Sequence, residues 1–276
     1  MAFYDDLETR SADERADDLR RDLPGAIGRA KTAPALARIL QAIDPEAITT
    51  REALAGLPVI RKSELSEAQK KAPPFGGFAT RRPHEFEHVF QSPGPIYEPG
   101  MRGADWWRLG RFLFAAGVGA GDIVQNCFGY HLTPAEMMFE SAARAVDAAV
   151  LPAGTGQTEL QVRAAADIGT TVYAGTPDYL KLILDKADEM GERLALRRAT
   201  VSGGALFPAL RQAYADRGIA TTQCYATADL GLIAYESPAM QGMIVDEGVI
   251  VEIVRPGTGI PVPEGEVGEV VVTTLN

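Results

Sequence analysis

The spacing of apolar positions changes part-way along this chain. Up to about residue 72 it is helical. Asp13-Glu14-Arg15-Ala16-Asp17-Asp18-Leu19-Arg20-Arg21-Asp22-Leu23 predicts a charged, sparsely apolar helix that Pro24 ends, or after which Pro24 starts the next. Residues 25–43 repeat the pattern, with Ile27, Ala30, Leu36, Ile39, Leu40 and Ile43 at three- and four-residue spacing. Thr50-Arg51-Glu52-Ala53-Leu54 and Lys62-Ser63-Glu64-Leu65 look like the starts of short helices, with Thr49 or Thr50 and Ser63 as candidate N-caps. Residues 1–72 are thus expected to form a helical region packed on a larger core.

After the loop Pro73-Pro74-Phe75-Gly76-Gly77-Phe78, apolar β-rich runs alternate with helical patterns. His88–Ser92 predicts a short strand entering a loop, Pro93–Gly100. Asp105–Val118 predicts a helix with Trp106, Leu109, Leu113 and Phe114 on one face. Strands are expected at 122–128, 148–152, 171–175, 199–202 and 219–225. The helices between them run from Thr133 to about Val146, 158–168, 176–190 and 207–217. Thr133-Pro134-Ala135-Glu136 has the form of a helix start, with Thr as N-cap, Pro first and a capping-box Glu, and Thr176-Pro177 opens another. Strand–helix–strand at this spacing predicts parallel β-α-β units, hence an α/β fold with a doubly wound, mostly parallel sheet. The runs 232–236, 243–246, 249–254 and 269–274, separated by Gly and Pro turns, predict a C-terminal antiparallel β meander. The expected division is therefore 1–72, 73–231 and 232–276.

Composition adds exclusions. Hydrophobic residues make up 46% and charged residues 23% of 276 residues, which is globular. Lys plus Arg number 27 against 37 Asp plus Glu, a net charge of −10, and no basic stretch offers a phosphate backbone a partner, so nucleic acid is not expected. Cys127 and Cys224, the only cysteines, have neither disulfide-framework nor metal-ligand spacing, and a reducing cytoplasm is the expected location. No apolar run reaches the roughly 18 residues of a membrane span, and the acidic start Met1–Arg10 does not look like a signal peptide.

In open α/β sheets ligands bind beyond the carboxyl ends of the strands, so the loops there hold the candidate chemistry. Ser202-Gly203-Gly204-Ala205 follows a strand and precedes a helix; its backbone suits an anion or a flat polar ring edge, and equally a plain tight turn. Tyr225-Ala226-Thr227-Ala228-Asp229 could stack a base and hold a divalent cation, or be a loop with a solvated Asp. Phe128-Gly129-Tyr130-His131 could wall an apolar or aromatic acid, although a lone His is more often structural; His84 and His88 read as solvated. Gln91–Glu98 stands where a phosphate cradle would suit, but Pro93 and Pro95 remove donors. No G-x-x-x-x-G-K-[ST], G-x-G-x-x-G, G-x-S-x-G or H-E-x-x-H occurs.

In order and spacing, five segments resemble the phenylacetate–CoA ligase family of adenylate-forming enzymes: residues 122–130, Gly175-Thr176-Pro177-Asp178-Tyr179-Leu180, Ser202–Ala205, Tyr225–Gly231 and Gly265–Leu275. The resemblance runs over nearly the whole chain from Tyr4-Asp5-Asp6-Leu7-Glu8. It implies activation of an aromatic or other apolar carboxylic acid by ATP to an acyl-adenylate, with release of pyrophosphate, then transfer to coenzyme A. On it, Ser202, Gly203, Gly204 and Ala205 would line the adenine and Tyr225 would stack on it, with Ala226 and Thr227 beside. Asp229 would stand where the family has a Glu that helps hold Mg²⁺, with Thr227 as a second catalytic candidate. Phe128, Tyr130 and His131 would shape the acid pocket.

The sequence departs from the family in three places. The Ser/Thr/Gly-rich phosphate loop expected near 91–99 is Gln91-Ser92-Pro93-Gly94-Pro95-Ile96-Tyr97-Glu98-Pro99. The usual Thr-Glu pair is Ala228-Asp229. The chain ends at Asn276, so residues 232–276 are expected to be a β-rich segment cut before the small C-terminal domain with its catalytic Lys. The first departure motivates a rival, a non-catalytic paralogue binding a nucleotide or acyl ligand; a dinucleotide-binding dehydrogenase would also fit the sheet but lacks its Gly fingerprint. The N-terminal helical region could pack on its own core or on a second copy, as a homodimer.

Overall fold

A computed structural model describes residues 3–101 and 103–275. Along the chain the helices are α1 Ala12–Ala30, α2 Pro34–Ile39, α3 Arg51–Ala55, α4 Lys62–Lys71, α5 Leu109–Ala115, α6 Ala135–Ala145, α7 Thr158–Ile168, α8 Pro177–Met190 and α9 Pro208–Asp216. The strands are β1 His88–Ser92, β2 Ile96–Gly100, β3 Ile123–Asn126, β4 Ala149–Pro152, β5 Val172–Gly175, β6 Arg198–Val201, β7 Ala220–Thr227, β8 Gly231–Glu236, β9 Met243–Val245, β10 Val249–Val254 and β11 Glu269–Thr274. They group into two compact units, residues 1–101 with 247–276, and residues 102–246. Residues 73–101 thus fall with the N-terminal helices and 232–246 with the α/β sheet, a grouping that differs from the division expected at 72/73 and 231/232.

In the first unit, α1 opens on a capping box: the Ser11 hydroxyl accepts from the Glu14 amide and the Glu14 carboxylate accepts from the Ser11 amide. The helix then runs through Pro24, correcting the expected break. Leu23 and Ile27 flank the proline and are buried with Leu40, Ile48, Leu54 and Ile250, so core packing on that stripe outweighs the missing donor. Thr50 caps α3 by accepting from the Ala53 amide, but Ser63 lies inside α4, which starts after Arg61 with no side-chain cap. The segment 93–100 is not a loop: Ile96–Gly100 returns antiparallel on His88–Ser92 in a hairpin, with Ser92 opposite Ile96. Buried Gln69 ties α4 to that hairpin, donating to the Tyr97 carbonyl and accepting from the Tyr97 amide, each at 2.8 Å. β10 and β11 pair antiparallel as a separate two-stranded sheet.

The second unit is the α/β sheet, in the order β4-β3-β5-β6-β7-β8-β9. Strands β3 to β7 are parallel, while β8 and β9 add antiparallel. The expected meander therefore divides: its first half extends the main sheet, where β8 carries six buried residues and needs a sheet partner, and its second half pairs as its own two-stranded sheet. Tyr173, Leu180, Ala199, Val201 and Tyr214 lie in a closely packed core beneath α8 and α9. The helix expected from Asp105 begins only at Leu109, since Asp105 and Arg108 adopt left-handed backbone at φ of 52° and 65°. From β3 the chain goes to one side to form β4 and returns to the other side as β5, so the order reverses at the β3–β5 pair. That reversal is where a doubly wound sheet opens a crevice.

Candidate functional site

The strand ends converge through one residue. Ser202, just after β6, is buried; its amide donates to the Gly175 carbonyl at 3.2 Å and its hydroxyl to the Cys224 carbonyl at 3.1 Å. The turn 202–205 is thereby fastened to the end of β5 on one side and to the residue before Tyr225 on the other. Gly203 stands at φ +72°, a conformation that side-chain-bearing residues rarely take, and a methyl there would lie 3.7 Å from the Phe128 ring. Phe128 is buried and stacks on Phe139 of α6 with centroids 4.7 Å apart. The three segments singled out in the sequence, 128–131, 202–205 and 225–229, therefore share one rim. Gly203, Gly204 and Ala205 are exposed along it, and Tyr225 keeps 46% of its surface open.

Tyr225 pairs with Ala234 across β7–β8, and the register slips between Tyr225 and Ala226. Such a bulge turns the following residues relative to the strand. Thr227 and Gly231 close the hairpin, where the Thr227 hydroxyl accepts from the Leu230 amide at 3.3 Å. Ala226 and Thr227 are half-buried, and Asp229 is exposed at the tip. A clamp that sequence reasoning missed holds this tip. The Arg108 guanidinium donates to the carbonyls of Leu230 (2.6 Å) and Leu232 (3.0 Å) and to the buried Asp246 carboxylate (2.8 Å). Arg111 lies 3.3 Å from the other Asp246 oxygen. At Gly231, with φ +74°, the backbone passes so close that a methyl would stand 2.6 Å from the Trp107 carbonyl oxygen. An arginine within the buried helix α5 is the signal that could have found the clamp, because a buried guanidinium needs a carboxylate.

On the β3 side, the Asn126 amide donates to the Glu136 carbonyl (2.9 Å) and to the Tyr130 hydroxyl (3.2 Å), which in turn donates to Glu140 (3.1 Å). With donor and acceptor both engaged, the half-buried Tyr130 offers its ring rather than its hydroxyl. Burial first, and the adjacent Glu140, push its phenol well above the usual range. Thr133 is not the N-cap of α6, which starts at Ala135 after Pro134 without a side-chain cap. Its hydroxyl instead reaches the Gly129 carbonyl (3.4 Å), because the 129–133 loop turns back on itself. Glu136 is buried, and burial pushes its carboxyl up to about 7. His131 is exposed on the bend before Leu132. The loop after β4 closes this end: a β-carbon added at Gly154 would stand 3.8 Å from the Tyr130 ring, and one added at Gly129 would stand 3.8 Å from the Thr155 methyl.

Both cysteines are buried and free. Among the described residues no group of three or more His, Cys, Asp or Glu could hold a metal, and no helix is long and apolar enough to cross a membrane.

This architecture, with its rim at the carboxyl end of a doubly wound sheet, is a fold found in solved acyl–CoA ligases. 2-Hydroxyisobutyryl-CoA ligase in complex with 2-HIB-AMP and CoA superimposes with a TM-score of 0.88 over 98% of this chain and 61% of that one, at 23% identity. A long-chain-fatty-acid–CoA ligase from Archaeoglobus fulgidus follows at 0.55 over 72% of this chain and 44% of that one, at 15% identity. In sequence the chain is similar to phenylacetate–coenzyme A ligases, as its motifs lead one to expect. It is 30% identical to that of Thermus thermophilus and 28% to that of Aromatoleum evansii, in each case over 84% of this chain and 55% of the relative. The Escherichia coli enzyme is 26% identical over 98% of this chain and 65% of its own length. The chain thus spans about half the length of the curated relatives it matches first. No protein-family model matches it.

Proposed function

We propose that this chain forms the nucleotide- and acid-binding part of an acid–CoA ligase acting on an aromatic or other apolar carboxylic acid. One observation carries the reading: Ser202 joins the turn 202–205 to Cys224 while Gly203 faces Phe128, so the two aromatic segments and the glycine turn are neighbours at the strand ends. In this reading Ser202, Gly203, Gly204 and Ala205 line an adenine edge, Tyr225 stacks on the ring, and Ala226 and Thr227 continue that wall. Phe128, Tyr130 and the exposed His131 border the acyl group. Tyr130, its hydroxyl spent on Asn126 and Glu140, contributes an apolar face, which suits an apolar acid.

The reaction is an in-line displacement followed by acyl transfer. A carboxylate oxygen attacks the α-phosphorus of ATP, the bond to the bridging oxygen breaks, and pyrophosphate leaves. The coenzyme A sulfur then attacks the acyl carbon and AMP departs. Asp229, exposed at the hairpin tip beside Thr227, fits a Mg²⁺ site of the kind that uses one or two carboxylates and completes its shell with phosphate and water. Mg²⁺ there would neutralise charge developing on phosphate oxygens. The chain's own contribution is to hold the hairpin tip rigid, through Arg108 and Asp246, while the purine is seated.

The test is pyrophosphate release by the full-length protein across a panel of aryl acids, with Tyr225→Ala beside it. Loss of a stacking ring costs about 1–3 kcal/mol per base, so AMP affinity should fall by roughly five- to 150-fold in the variant. A folded full-length protein that releases no pyrophosphate with any acid, and binds AMP equally well with or without the ring, would overturn the proposal.

A second reading has its own observation. The segment expected to cradle phosphates is a hairpin in which the buried Glu98 carboxylate accepts from the Ser92 hydroxyl at 2.9 Å. A buried carboxylate there favours a non-catalytic nucleotide or acyl binder. Calorimetry separates the two: AMP binding without ATP–Mg²⁺ binding favours the non-catalytic reading.

A further inference from the structure

Gln161, buried on α7, holds more of the acyl end than any residue the motifs name. Its amide nitrogen lies 3.3, 3.0 and 2.7 Å from the carbonyl oxygens of Ala153, Gly154 and Gly156, and 3.2 Å from the Tyr179 hydroxyl. Four acceptors surround two N–H groups, a strong restraint on the loop that supplies three of them. On the other side its carbonyl oxygen accepts from the Gln125 amide and the Cys127 thiol, each at 3.3 Å. One side chain therefore joins the loop after β4 to the end of β3, next to Phe128. That loop is the one whose Gly154 and Thr155 face Tyr130 and Gly129. Strands β3 and β4 are already paired by their own backbones from Ile123 to Asn126, so the sheet does not need Gln161 to form.

We propose that Gln161 is a positioning residue for acid recognition: it fixes loop 153–156 as the wall facing Phe128–Tyr130 and thereby sets the width of the acyl pocket. This rests on the assignment of that pocket above. It predicts a selective effect, since the purine side is held by Ser202 and Arg108 and not by Gln161.

The experiment uses the full-length protein and Gln161→Met, which keeps size and removes both hydrogen-bonding ends. Calorimetry with AMP and with 5′-O-(N-phenylacetylsulfamoyl)adenosine should show the acyl probe weakened about tenfold or more and AMP changed by less than about twofold. Equal weakening of both, or of neither, overturns the proposal. Labelling by a thiol reagent gives an independent readout. Cys127 should react about tenfold faster in the variant while Cys224, also buried, does not change. No change at Cys127, or the same rise at both, also overturns it. If the wild-type protein shows no preference for the acyl probe over AMP, the acid-pocket assignment fails, and the Cys127 result still decides whether Gln161 holds the loop. Tyr179→Phe, which removes one acceptor of the Gln161 amide and the Tyr179 hydroxyl's own bond to the Gly156 carbonyl (3.1 Å) but leaves the Gln161 bonds to Ala153 and Gly154, should shift both readouts the same way; a shift in the opposite sense would count against the network.

Discussion

Gly231→Ala isolates the close backbone approach that supports the Asp229 hairpin. A β-carbon at Gly231 would stand 2.6 Å from the Trp107 carbonyl oxygen and 3.0 Å from its α-carbon, both backbone atoms with no rotamer to change. Relief requires the β8 start to move away from Trp107, which lengthens the 2.9 Å bond from the Leu232 amide to that same oxygen. Losing that bond costs about 1 kcal/mol, more if the groups stay buried. Holding alanine at φ +74° costs a further 1–2 kcal/mol or so. The expected loss is about 2–4 kcal/mol, or roughly 5–15 °C in melting temperature for a domain of this size. Gly121→Ala is the control: φ is +88° and nothing lies within 4 Å of the added methyl, so only the backbone term of about 1–2 kcal/mol applies. Urea denaturation of the pair gives the difference directly. If Gly231→Ala costs no more than Gly121→Ala, the close approach to Trp107 does not restrain the hairpin, and only the Arg108–Asp246 clamp is left to hold it.

Other outcomes follow from the same geometry. Asp246→Ala leaves Arg108 and the buried Arg111 without their shared carboxylate and should cost about 3–5 kcal/mol in denaturant unfolding; a loss under about 1 kcal/mol would refute the clamp. Glu136 has its carboxyl raised from 4.5 to about 7, so the folded state binds more protons than the unfolded one in that window. Stability should decline as pH rises from about 4.5 through 7, by on the order of 3 kcal/mol. Glu136→Gln should flatten that decline, and parallel pH profiles for the two proteins would show that burial of Glu136 does not drive it. Thr227→Ala removes the acceptor for the Leu230 amide and should cost about 0.5–1.5 kcal/mol of stability. In the same variant pyrophosphate release should fall in step with Mg²⁺ affinity, and an unchanged Mg²⁺ dependence would remove Thr227 from the site.

Strand–helix alternation from β3 to β7 was legible because strands buried on both sides leave continuous apolar runs, as in Val172–Gly175, between amphipathic helices. The glycine turn and the aromatic strand end were visible as signals too, because a left-handed backbone at 203 (φ +72°) favours glycine and the end of β7 leaves Tyr225 exposed. Pro24 and Pro93–Gly100 were misleading, since a local breaker signal cannot register the core packing of Leu23 and Ile27 or the pairing of Ser92 with Ile96. Arg108, Asp246 and Gln161 carried no motif at all: their partners lie up to 138 positions away or on other strand ends.

By itself, then, the sequence determined the alternating strands and helices from β3 to β7 and the loops that follow those strands, because periodicity and turn chemistry act over a few residues. Only the tertiary structure decided that Ser202 meets both Gly175 and Cys224, that Arg108 and Arg111 share one buried carboxylate, and that Tyr130's hydroxyl is already engaged. Those are pairings between positions far apart in the chain, and a buried polar group settles on its partner only when packing has brought both out of water.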